Sequence, residues 1–299
     1  MRAVLVLVLL ALVVTSCGTE HRQGRARSAS LASLLSRPGQ DVAVVPGAQD
    51  FAPGEVRYPF LVIRRDARPV ERPRARVWVA RSRTGRPFEE TSALLEHIGV
   101  AGRSEPAAGG VRKIYVVRLR IPRPGRYWLV AEPDGAKIQA LATVDVARRA
   151  ESPAIGARVP VSDTPTLASA HGRTRALTTR APPDRGLLRY SVAGSVAARR
   201  PFVVTFATPR YCTSRTCGPV VDVVDSLRRR YAHTGVRFIH VEVYAGNNPQ
   251  RGYNRWMKQW HLRTEPWTFL VGRDGRIKAK FEGSVSAREL GVAIRRFLF

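Results

Sequence analysis

The chain has 299 residues, 44% of them hydrophobic and 24% charged. That length suits two cores of about 150 residues each, and the composition excludes a disulfide-stapled miniprotein, a wholly disordered chain and a polytopic membrane protein. Charge is the outlier: 50 Lys and Arg against 23 Asp and Glu leave +27, nearly all of it carried by Arg. Such a surplus suits an anionic partner or surface, but no aromatic-basic RNA motif, zinc-finger spacing or helix-turn-helix pattern accompanies it, so nucleic acid is not expected as a partner.

Arg2 is followed by an apolar stretch, 3–14, and then by Thr15, Ser16, Cys17 and a polar, basic segment. The apolar stretch is shorter than the about 20 residues a membrane span needs and reads as a signal peptide. Val14-Thr15-Ser16-Cys17 resembles a bacterial lipobox. The resemblance implies a lipoprotein signal peptide over 1–16, a lipidated Cys17, and an extracytoplasmic protein anchored to the bacterial cell membrane. Basic residues close to an anionic leaflet would add about 1 kcal/mol each to that anchoring. Residues 17–41 read as a tether, in which Leu31–Leu35 forms a helical turn or packs on the body.

From 42 to 148 the hydrophobic period is two. Strands are predicted over 42–45, 56–64, 75–80, 114–121, 126–132 and 138–146, punctuated by turn chemistry at Pro53-Gly54, Thr84-Gly85, Pro124-Gly125 and Asp134-Gly135. Residues 94–100 fit either a strand or a short helix. Short strands at this spacing predict an antiparallel β-sandwich, resembling the immunoglobulin-like modules of exported proteins. Residues 149–186 carry five prolines among Ser, Thr and Arg and read as an extended linker laid across one domain.

The pattern changes again over 187–299. A short helix over 191–199 precedes a buried strand over 201–207. Pro219 opens a helix running to about 232, whose last turn holds Arg228, Arg229 and Arg230 against the negative end of its dipole. A second buried strand covers 236–244, and a helix with Trp256 and Trp260 covers 253–261. Strands over 267–272 and 276–281 are joined by the hairpin turn Arg273-Asp274-Gly275. Ser286-Ala287-Arg288-Glu289 is a capping box for a final helix, with Leu290, Ala293, Ile294, Phe297 and Leu298 predicted to face inward.

This order, with two cysteines between the first strand and its helix, resembles the thioredoxin fold. The likeness rests on 202–207 followed by Cys212, on Cys217-Gly218-Pro219 at the helix start, on Glu265-Pro266 where that family carries a cis-proline, and on Phe281-Glu282-Gly283 before the last helix. Two departures stand out: four residues separate the cysteines instead of two, and Glu265 replaces the usual Thr or Val. The expected fold class is therefore an immunoglobulin-like sandwich followed by an α/β thioredoxin-like domain. The resemblance implies thiol–disulfide exchange with exported or envelope proteins that carry thiols or disulfides. It makes Cys212 the nucleophile, Cys217 its resolving partner, and the Pro266 loop a surface for an extended partner chain.

With Cys17 acylated, Cys212 and Cys217 form the one remaining pair, in a compartment where disulfides persist. So short a loop removes little chain entropy, which shifts weight from a static staple toward chemistry. An attacking sulfur must be a thiolate. A helix N-terminus near Gly218 and the flanking Arg210 and Arg215 favour that charge, whereas Glu265 opposes it. Residues five apart on a continuous helix rise about 7.5 Å, more than a disulfide spans, so 212–217 must be largely loop. No cofactor beyond the cysteine pair is expected. Two other readings stay open: a Cu(I) chaperone using Cys212, Cys217 and His261, with His240 as a weaker ligand candidate, and a non-catalytic envelope interaction protein with a structural disulfide.

Overall fold

The computed structural model describes residues 29–37, 39, 41–103, 111–135, 141–212 and 214–299. The expected signal peptide, Cys17 and the first part of the tether lie outside these residues. Among the described residues no helix is long and apolar enough to cross a membrane.

Helix α1 (Leu31–Leu35) buries Leu31 and Leu34 against Trp78 and Val130. Seven strands follow: β1 (Val42–Pro46), β2 (Gly54–Arg64), β3 (Arg74–Ala80), β4 (Glu89–His97), β5 (Lys113–Ile121), β6 (Gly125–Pro133) and β7 (Leu141–Val146). They form one antiparallel sheet in the order β1-β2-β5-β4-β3-β6-β7. Alternate residues of all seven point to one shared core, with Val44, Tyr58, Phe60, Val77, Ala93, Tyr115, Leu129 and Val144 among them. The sheet's two ends meet where Phe51, just beyond β1, bridges Val146 of β7, and the Ala147 N–H donates to the Phe51 carbonyl at 3.0 Å.

The immunoglobulin-like sandwich is therefore overturned. A sandwich needs two sheets facing each other, whereas here a single sheet curls until its edges nearly close into a barrel, which removes most of its exposed edge. Strand β4 was half hidden from the sequence. Its inward positions are Thr91, Ala93 and Leu95, the first two polar or small, and the apolar Leu94 beside Leu95 faces out, so no clean hydrophobic alternation shows.

A second sheet contains β8 (Phe202–Phe206), β9 (Arg237–Val241), β10 (Trp267–Val271) and β11 (Ile277–Glu282), in the order β11-β10-β8-β9. Only β8 and β9 run parallel. Helices α3 (Cys217–Arg230) and α5 (Ala287–Phe297) cover one face through Val220, Val224, Leu290 and Ile294. The other face is closed by Val159 and by two short helices, α2 (Val192–Ala197) and α4 (Arg255–Gln259), with Trp260 fully buried beneath them. Phe297, expected to point inward, is 38% exposed.

The expected α/β thioredoxin-like domain is corrected in turn. The chain is mostly β, and three of the five helices among the described residues are only five or six residues long. The physical reason is the proline-rich stretch after 149, which cannot continue as helix and instead follows the β11 edge. There Gly156 N–H donates to Ile277, Ile277 N–H to Ala157, and Val159 N–H to Gly275, at 2.8 to 2.9 Å. Irregular chain thus takes the place of much of the covering helix.

Ion pairs join barrel and second sheet. Arg57 of β2 forms a two-pronged pair with Glu289 of α5, both side chains only 8% exposed, and also donates to the carbonyl of Ser284 at 2.7 Å. Arg103, in the β4–β5 connection, reaches Asp225 of α3 at 2.9 Å. Glu96 of β4 accepts from Ser286 and pairs with Arg288. Burial pushes the Glu289 carboxyl up, but Arg57 and the Ser286 amide outweigh it and hold the group below its ordinary range.

Removing one partner of a buried pair leaves an uncompensated charge, a loss of about 3–5 kcal/mol, whereas replacing both with apolar groups of similar volume costs little. Arg57→Ala should lower the urea midpoint accordingly, and the double variant Arg57→Met/Glu289→Met should recover most of it. Because Glu289 is held low, its contribution is present above the ordinary carboxylate range and is lost as pH falls through its lowered value. The gap between wild type and Glu289→Gln should therefore narrow in acid.

Candidate functional site

Strand β8 ends at Phe206, and the chain passes Thr208 and Pro209 into a loop that carries Cys212. Arg215, at φ 58°, turns the loop back, its N–H donating to the Cys212 carbonyl at 3.2 Å, and α3 begins at Cys217. Loop geometry replaces the helical rise, so the Cα atoms of Cys212 and Cys217 stand 5.9 Å apart and the two form a disulfide.

The two sulfurs have unlike surroundings. Cys217 is fully buried, packed with Val220, Val221 and Val285. Cys212 is half-buried, its Sγ accepting from the Cys217 N–H at 3.2 Å and lying 3.2 Å from the Ser214 hydroxyl. Ser214 in turn meets the Thr216 hydroxyl at 2.9 Å. The amide belongs to the first turn of α3, where unpaired N–H groups and the helix dipole favour negative charge. Arg210 and Arg215 are both exposed at the edges of this loop. Arg210 stacks over Tyr211, and neither guanidinium hydrogen-bonds a sulfur among the described residues.

The Glu265–Pro266 peptide is cis. Pro266 is buried, and its carbonyl accepts from Gly283 N–H at 2.8 Å. Glu265 accepts from Tyr253 at 2.8 Å, and Tyr253 stacks on Tyr244 with ring centres 5.6 Å apart. Burial pushes the Glu265 carboxyl above its ordinary range, with the Tyr253 and Tyr244 hydroxyls pulling the other way.

Barrel loop 46–50 lies against this turn. Glu282, at the end of β11, accepts from the N–H groups of Gln49 at 2.9 Å and Asp50 at 2.7 Å, and from the Thr264 hydroxyl at 2.7 Å. Gly283 sits at φ 73°, and a Cβ there would collide with the Gly47 carbonyl, so only glycine lets the two backbones approach so closely. The result is a cavity of about 370 Å³ with barrel residues 46–49 on one side and Ser214, Glu265, Tyr244 and Tyr253 on the other. Ser214 connects the cysteine loop to this space.

The sequence marked Cys212, Cys217, Glu265 and Pro266 but gave no role to Ser214, Tyr244, Tyr253 or Glu282. Tyrosines nine residues apart give no sequence signal, because an isolated bridge between them brings them together. The copper reading lacks its ligand set: no group of three His, Cys, Asp or Glu placed to hold a metal exists among the described residues. His240 is buried in β9 and held by the Ala207 carbonyl at 3.0 Å and the Thr178 hydroxyl at 3.5 Å. His261 is exposed and lines a second cavity beside Lys258, away from the cysteines.

No protein-family model matches this chain, and no curated protein matches it either. The sulfur geometry itself therefore supplies the grounds for assigning a chemistry.

Because Glu265 is raised, its contribution to stability is full below the ordinary carboxylate range and is lost as pH rises through its folded value. Glu265→Gln, which does not titrate, should gain on wild type between pH 4 and pH 8, values chosen to bracket the ordinary carboxylate pKa of about 4.3. Urea denaturation at the two pH values measures this; a constant difference would place the charge of Glu265 in water.

Proposed function

We propose that this chain exchanges thiols and disulfides with exported proteins through Cys212, with Cys217 as the resolving sulfur, on the outer side of the membrane to which a lipidated Cys17 would hold it. The observation that carries this reading is the asymmetry of the pair: one sulfur half-buried on a loop whose Ser214 lines a cavity and bonded by a helix-start amide, the other sealed in the core.

From the disulfide state, a partner's thiolate attacks Cys212 Sγ, forming a mixed disulfide while Cys217 leaves as a thiolate at the N-terminus of α3. A second partner thiolate then attacks its own sulfur in the mixed disulfide and releases Cys212 as a thiolate, which Cys217 N–H and the Ser214 hydroxyl stabilise. The partner's dithiol has become a disulfide, and two electrons have passed to the cysteine pair. The reverse sequence reduces a partner disulfide, with the Cys212 thiolate as attacking group and Cys217 closing the ring. Rates follow the thiolate fraction of the attacking sulfur and access to the sulfur attacked. Cys212 is the accessible sulfur under attack in the first direction and the accessible thiolate in the second.

Reduction of insulin by dithiothreitol tests the reading. Wild type should accelerate it by about tenfold or more, and Cys212→Ser should return the rate to that of dithiothreitol alone. Cys217→Ser should accumulate a mixed disulfide at Cys212, visible by mass spectrometry. Equal trapping by the two single variants would sink the assignment of Cys212, and a wild-type rate equal to background would leave the disulfide as a structural staple.

A further inference from the structure

The cavity beside the cysteine loop does not end at Glu265. Tyr253 and Arg263 also line a second cavity of about 640 Å³, with Glu151, Met257, Lys258, His261 and Leu262. The two cavities adjoin at Tyr253 and Arg263, which places an open path for an extended chain from Ser214 past Glu265 to α4, a groove in two parts. Its ends differ in charge. Near the cysteines the carboxylates are occupied internally, Glu265 by Tyr253 and Glu282 by the amides of barrel loop 46–50. At the far end Lys258 is exposed. Arg263, where the two cavities adjoin, is exposed and paired with Glu151, the carboxylate that lines the far cavity among the described residues. The chain's net charge of +27 acts in the same direction, drawing in anionic partners before contact.

We infer that this groove binds an extended, acidic segment of the partner polypeptide, its cysteine at Cys212 and its acidic side chains at Lys258 and Arg263, with barrel loop 46–49 as the second wall. The inference rests on the exchange reading for the direction in which the partner's cysteine points, while the groove itself is independent of redox chemistry. Barrel and second sheet both contribute to it, so the barrel selects partners and does more than display the redox site.

The test is fluorescence anisotropy on the full chain with the disulfide intact. The probes are two labelled peptides with a serine in place of cysteine, one carrying an aspartate run on one side and the other a lysine run. Wild type should bind the aspartate peptide about tenfold more tightly or better. Lys258→Glu/Arg263→Glu should abolish or invert that preference. Arg83→Glu/Arg86→Glu changes the net charge equally in the β3–β4 turn, which lines neither cavity, and should preserve it. Gln49→Trp, which places bulk on the barrel wall, should weaken both peptides.

Equal binding of the two peptides by wild type, or an equal loss in both charge-reversed proteins, would overturn the acidic-segment assignment. Unchanged binding in Gln49→Trp would remove the barrel from the site. Binding that behaves as stated in a protein inert toward insulin would refute the exchange reading and leave the groove standing.

Discussion

A single buried carboxylate, Glu282, holds the candidate site together. Burial pushes it above its ordinary range, and the amides of Gln49 and Asp50 and the hydroxyl of Thr264 offset that cost. A buried acceptor with several donors fixes position more firmly than a surface contact does, because any shift leaves a polar group unsatisfied in a low-dielectric setting. Through it the barrel loop is held beside the Pro266 turn. Lys280, near Asp50, is pulled below its ordinary range by burial, with the neighbouring carboxylates acting against that shift.

The helix carrying Cys217 is fixed by related means. Asp225 of α3 is fully buried and meets Arg103 from the barrel as well as Arg228 and Arg229 from its own helix. Desolvation raises this carboxyl, but the three guanidinium groups outweigh it and hold the acid below its ordinary range. Barrel groups, backbone amides at the turn and the Arg103 guanidinium at the helix, thus anchor both elements between which Cys212 is presented. Much of the arginine surplus near this junction is engaged in holding the two units together, so only a part of it is free to meet partners.

Local features of the second sheet were legible because they are written in short segments. The strand before the cysteines, the proline opening of α3, the hairpin at Arg273-Asp274-Gly275 and the Ser286 cap of α5 follow from turn chemistry, capping and apolar runs. Indeed the Ser286 hydroxyl accepts from Glu289 N–H at 3.0 Å. Loop geometry over 212–217 followed from the rise of a helix alone. The two fold-class expectations failed for different reasons. For the sandwich, strand alternation says which residues face a core, but not whether the sheet faces a partner sheet or closes on itself; for the α/β domain, irregular chain after 149 replaces much of the covering helix.

By itself, then, the sequence determined the strands of regular alternation, the helix beginning at Cys217 and the pairing of two cysteines five positions apart, each set by interactions within a few residues. Only the tertiary structure decided that β1 and β7 meet, that irregular chain covers one face of the second sheet, and that Gly47 lies against Gly283. Those contacts join positions scores to hundreds of residues apart, and their energies depend on burial and on donors arriving from elsewhere in the chain. The pairing of the sulfurs is local, whereas the cavity beside them exists only because two distant parts of the chain approach to within a hydrogen bond.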